Sequence, residues 1–146
     1  MKMKSFVIAG LILTGISQAK AENYTLLIYE SQSSIDSRFD KDKAKMEAYW
    51  NEFNQFAGTL QQAGVLRGGT AFKTGEDVKF VTIKGDKTEV KNGSYASSKQ
   101  ILSGNLVIDV PDMDTAISYA KKAPSRAGIT IEVRAPQENP TMQMKK

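Results

Sequence analysis

Two rhythms of apolar and polar residues alternate along the chain and divide it into strands and helices. Tyr24-Thr25-Leu26-Leu27-Ile28-Tyr29 is a short apolar, β-prone run that predicts a first strand, and Ser31 to Ser34 reads as a polar loop. From about Asp40 the spacing changes to three and four. Met46, Tyr49, Trp50, Phe53, Phe56, Ala57 and Leu60 then mark one face of a long helix, with Asp36 or Asp40 placed to cap it and Gly64 to stop it. An aromatic stripe at this spacing is what a helix laid on a sheet requires.

Residues 65–73, loosened by Gly68-Gly69, and residues 78–84 predict two further strands. Gly85-Asp86-Lys87 turns the chain into residues 88–91, and Asn92-Gly93 signals another turn. Residues 94–100 are irregular or a single helical turn, and a strand within 101–110 is clearest from Leu106 to Val110. Asp112 is placed as the cap of a second helix, with Met113, Ala116, Ile117 and Ala120 on one face. Residues 129–133 give a final strand, and 136–146 a flexible polar tail. There is no internal repeat.

This order of elements predicts an α+β fold of the split βαβ, ferredoxin-like type, an antiparallel sheet with two helices on one face. Such a sheet should be polar on its uncovered side. Val78 and Phe80 alternate with Val81 and Ile83, however, and Val107 lies opposite Leu106 and Ile108. Apolar residues on both faces call for a second cover, and a homodimer with facing sheets supplies it most simply.

The N-terminus changes the reading of charge. Lys2 and Lys4 precede an apolar run from Phe6 to Ile16, followed by the small-x-small pattern Ala19-Lys20-Ala21. Those zones predict a cleaved signal peptide at 1–21, a mature chain beginning near Glu22, and a periplasmic or secreted protein. The run is too short to span a bilayer, which needs roughly 20 residues, so no membrane anchor is expected after cleavage. The whole chain carries a formal charge of +4, but losing Lys2, Lys4 and Lys20 leaves 17 basic against 16 acidic residues. No basic face survives to neutralise phosphates, and nucleic-acid binding is not expected. The remaining length of about 125 residues suits one domain, 22–135, stabilised by an apolar core without disulfides because cysteine is absent.

With the segments in place, the chain resembles the YCII-related family, in its DGPF branch. The resemblance rests on residues 24–30, 63–69, 92–100, 106–116 and 131–134, in that order. It implies a ferredoxin-like fold that dimerises into an α+β barrel. The run that names the branch, Asp-Gly-Pro-Phe with a following acid and lysine, is replaced here by Asn92-Gly93-Ser94-Tyr95, with Ser97 at the acidic place and Lys99 retained. Gln100 is neutral where the branch usually has an acid. A histidine paired with an aspartate, which the resemblance would offer as a candidate active site, has no counterpart in a chain without histidine.

Candidate chemistry is correspondingly narrow. Without histidine or cysteine a transition-metal site is not expected, and Met142 with Met144 does not make one. No phosphate-cradling glycine motif and no cofactor signature occur: Gly68-Gly69 lacks the lysine and helix that should follow. Ser94, Ser97 and Ser98 have no imidazole to activate them, and a serine–lysine pair through Lys99 is less economical than turn polarity. Tyr29, Glu30, Arg67, Asn92, Tyr95, Lys99, Asp109 and Arg134 remain as candidates for a ligand pocket. Asp109 and Glu132 also read as ion-pair partners of Arg67 or Arg134. The sequence therefore favours a module that binds a small molecule or partner at a homodimer pocket. An enzyme using carboxylate, tyrosine or lysine acid–base chemistry is the alternative, and a purely structural role a third. Whether Glu30, Asp109, Tyr95 and Lys99 meet around one cavity separates the first two.

Overall fold

The computed structural model describes residues 20–96 and 99–142. Most of the stretch expected as a signal peptide (residues 1–19), Ser97, Ser98 and the end of the tail with Met144 lie outside the described residues. The elements run β1 (Glu22–Ser31), α1 (Gln32–Asp36), α2 (Lys43–Gln62), β2 (Leu66–Ala71), β3 (Lys79–Lys84), β4 (Lys87–Asn92), β5 (Gln100–Val110), α3 (Met113–Ala120) and β6 (Ile129–Arg134). Among them no helix is long and apolar enough to cross a membrane.

β2, β5, β1 and β6 form one antiparallel sheet in that order, with the two central strands being the first and the fifth. This is the ferredoxin-like α+β arrangement. Strict alternation in β1 explains its place. Tyr24, Leu26, Ile28 and Glu30 are buried on the helix side, while Thr25, Leu27 and Tyr29 are half-buried on the other. Opposite them Ile108 and Val110 of β5 are also buried, and Phe56 and Leu60 of α2 with Ala116 and Ala120 of α3 complete the core. Both long helices thus cover the same face.

Local chemistry sets the helix ends. Asp42, rather than Asp36 or Asp40, caps α2 by accepting from the Ala44 N–H at 3.0 Å, and Asp40 instead accepts from the Asp42 N–H at 2.9 Å. Asp112 caps α3 as expected, accepting from the Thr115 N–H at 2.7 Å. The Thr115 hydroxyl and N–H together hold its carboxyl below the ordinary aspartate value. The serine-rich stretch expected as a loop is instead the short helix α1, because the Ser31 hydroxyl caps it from Ser34 and Ile35 anchors it in the interior.

The largest departure is the hairpin. β3 and β4 pair only with each other, Val81 facing Val90 and Ile83 facing Thr88, as a separate two-stranded sheet. Val81, Ile83 and Val90 are 58%, 71% and 63% exposed. The two-sided apolar pattern read across 78–84 therefore belongs to this arm and not to the main sheet. On the main sheet Leu27, Tyr29 and Val107 do line the uncovered face. Ile117, expected on the buried face of α3, is 37% exposed.

Candidate functional site

The chain's main buried polar network lies where β1, α1 and α2 meet. Glu30 ends the inward alternation of β1 and is fully buried, as are Arg38 and Tyr49 to within a few per cent. The Glu30 carboxylate accepts from the Ser34 hydroxyl at 2.8 Å, from the Tyr49 hydroxyl at 2.9 and 3.0 Å, and from Arg38 Nη2 at 3.0 Å. Arg38 also donates from Nε to the Tyr49 oxygen at 2.7 Å, from Nη1 to the Phe72 carbonyl at 2.8 Å, and from Nη2 to the Ser103 carbonyl at 2.9 Å. A buried ion pair persists only when such extra bonds satisfy it. This one ties β1 to α1, α2, β5 and the chain after β2.

Tyr49 is the hinge of that network. Burial pushes its phenol up to about 12; Arg38 opposes the rise and Glu30 adds to it. It is therefore a neutral donor throughout the ordinary pH range. Trp50 packs edge-on to its ring at 5.1 Å between centroids, and Phe53 lies tilted at 5.0 Å. The Arg126 guanidinium sits 4.8 Å from the ring centroid and is held by Glu52 and the Ser37 hydroxyl, each at 3.1 Å.

Beside this network α2 stands off the β2 edge of the sheet and leaves a cleft of about 240 Å³. Trp50, Phe53 and Asn54 form its helical wall, Gly69, Thr70, Gly104 and Asn105 its strand side, and Arg38, Tyr49 and Ser103 its inner end. The Asn105 side chain accepts from the Thr70 N–H at 3.2 Å, locking the strand side. A wider cavity of about 650 Å³ lies between residues 72–78, residues 92–96 and the start of β5.

The candidates read from sequence are distributed over three places. Glu30 is inside the buried network, behind Arg38 and Tyr49. Tyr29, Asp109 and Arg134 share the uncovered face of the sheet. There Arg67 meets Asp109 through Nη2 at 3.0 Å and donates from Nη1 to the Gly64 carbonyl, while Arg134 pairs with Glu132. Asn92, Tyr95 and Lys99 lie around the hairpin. Asn92 accepts from Lys79 Nζ at 2.6 Å and lines the wider cavity. Tyr95 packs edge-on to Phe80 and is 80% exposed, and Lys99 is exposed. Glu30, Asp109, Tyr95 and Lys99 do not meet around one cavity.

Sequence reasoning missed Arg38, Asn54, Ser103 and Asn105, and it read Tyr49, Trp50 and Phe53 as core alone. The available signal was Glu30, an acid on the inward phase of an otherwise apolar strand. It demanded a buried cation, and Arg38 is the nearest arginine in the chain.

Among the described residues no group of three or more histidine, cysteine, aspartate or glutamate side chains is arranged to hold a metal ion. A search of curated proteins finds no match. The family model of the YCII-related domain matches residues 23–135, nearly the whole span from the start of β1 to the end of β6. The chain therefore belongs to the YCII-related domain family.

Proposed function

We propose that the protein is an exported, homodimeric binding module that holds a small molecule in the cleft between α2 and strands β2 and β5. The observation that carries this reading is the cleft's construction. Its inner end is an arginine and a tyrosine fixed by a buried carboxylate, and its wall is two aromatic side chains. A mostly apolar concavity with a few rigid polar groups is the general form of a small-molecule site. The acid–base alternative is weakened by the same geometry. Glu30, the nearest carboxylate, is fully buried and its two oxygens already accept from Ser34, Arg38 and Tyr49. A general base must reach its substrate's proton.

The test is native mass spectrometry of the protein recovered from the extracytoplasmic fraction, joined to a thermal-shift screen with a chemically diverse library. A bound small molecule, or library members that raise the melting temperature and change the fluorescence of Trp50, is the expected result. Trp50 is the single tryptophan of the chain and lines the cleft, so its emission reports directly on occupancy. No bound species and no library response would end the reading. N-terminal sequencing of the same sample should begin near Glu22; a cytoplasmic protein beginning at Met1 would remove the export part.

A further inference from the structure

We infer that the cleft takes a planar, uncharged ring system bearing a carbonyl-type acceptor, an inference that rests on reading the cleft as a small-molecule site. Planarity follows from the two sides. Trp50 and Phe53 present aromatic surface from α2, and both are fixed against Tyr49. Across from them Ile28, Ala71 and Leu106 put short aliphatic groups on the strand side, with Gly69 and Gly104 between them. Neither glycine position admits a side chain: a Cβ on Gly69 would lie 2.5 Å from the Asn105 carbonyl oxygen, and one on Gly104 2.8 Å from that of Thr70. The close approach of β2 to β5 therefore keeps two positions of that side free of side chains, between aliphatic neighbours. A slot between aromatic rings and a strand side of glycines and short aliphatic groups fits a flat apolar body that stacks on the rings.

The acceptor follows from a donor count. A guanidinium has five N–H groups, and Arg38 makes four hydrogen bonds, one from Nε, one from Nη1 and two from Nη2. The remaining Nη1–H has no partner among the described residues, on a side chain that lines the cleft. Charge decides what it receives. Glu30 lies 3.0 Å from Arg38 and neutralises it, and among the described residues lining the cleft no other is charged. An anion would lose its hydration and meet no net positive charge, whereas a carbonyl oxygen needs only the one N–H. Size narrows the class further. A cavity of roughly 150 Å³ accepts benzene, so about 240 Å³ suits two fused rings.

The experiment titrates the full mature protein with four probes and follows Trp50 fluorescence: coumarin, naphthalene, naphthoate and decalone. These differ in one property each, since naphthalene lacks the acceptor, naphthoate is charged and decalone is not planar. Coumarin should bind about tenfold more tightly than each of the others, the size of one well-made hydrogen bond or stacking contact. Its carbonyl stretch in the wild-type complex should lie below its value in an aprotic solvent, a readout that needs no variant. R38K should abolish the preference for coumarin over naphthalene, and W50L, followed by calorimetry because it removes the single tryptophan, should weaken both. Tighter binding of naphthoate or decalone, or an unshifted carbonyl band, overturns the ligand class. If none of the four binds while other library members do, the class is wrong and the cleft reading stands. If nothing binds at all, both fall.

Discussion

At the residue scale the molecule turns on how Glu30, Arg38 and Tyr49 satisfy one another. Removing one partner of a buried ion pair leaves an uncompensated charge, which typically costs about 3–5 kcal/mol. E30A should therefore destabilise the protein by that order, because it strands Arg38 among Tyr49, Phe72 and Ser103. Y49F removes one hydroxyl and should cost less, about 1–3 kcal/mol. Urea denaturation of both variants measures the order, and a larger loss for Y49F would contradict this account of the network. Tyr49 also gives the fold an alkaline limit. Its folded value, about 12, lies above the ordinary 10.0. Its contribution to stability is then complete below pH 10 and is lost as pH rises through about 12. A spectrophotometric titration of the five tyrosines should show one late step that is absent in Y49F. Arg38 was legible only through Glu30, whose inward phase demands a buried cation, since arginine is seldom fully buried unless paired. Its pairing across eight positions follows no helical or strand period.

At the element scale, what was legible is what local pattern decides. The alternation in β1, the three–four spacing of α2 and the Asp112 cap of α3 all appear where the sequence places them. The capping carboxylate of α3 gives a direct test. Its folded pKa is lowered, so its contribution is present above the ordinary value and lost as pH falls below it. D112A should lower the melting temperature by a few degrees at neutral pH, whereas D112N keeps the acceptor and should recover most of the loss. Equal losses in the two variants would mean that the charge, not the acceptor, matters. Gly128 is a second such point. It has φ of 81°, its carbonyl accepts from the Ser31 N–H at 2.8 Å, and a Cβ there would strike the Ser31 side chain. G128A should cost at least about 1 kcal/mol in chemical denaturation. The hairpin marks where local pattern stops. The Gly85-Asp86 turn predicts that β3 and β4 pair, but which sheet they join depends on contacts far along the chain. The cleft was hidden for the same reason: its aromatic wall has the spacing of a core stripe, and only the stand-off of α2 from β2 makes it a surface.

At the scale of the whole molecule, the unsolved question is what covers the second face of the sheet. Thr25, Leu27 and Tyr29 of β1 and Val107 of β5 lie there half-buried, in register with Glu132 and Arg134 of β6. Leu102 is 38% exposed, and the hairpin adds Val81, Ile83 and Val90. Exposed apolar surface on a sheet face or an arm is the usual form of an interaction site. A second copy is the proposed cover, because two such sheets present the same mixture of apolar centre and charged rim to each other. A stable interface of this type buries roughly 1,200–2,000 Å² in total. Val107 faces away from α2 and α3, so V107R should spare the core while placing a charge at the centre of the contact. Sedimentation equilibrium should give a dimer for the wild-type protein at micromolar concentration and a monomer for V107R, with circular dichroism unchanged. A double variant of the arm, V81K with I83K, separates the two apolar surfaces. If it alone dissociates the dimer, the hairpin is the contact and the sheet face is not. A wild-type monomer would remove the dimer from the proposal and leave the cleft, built entirely within one chain, untouched.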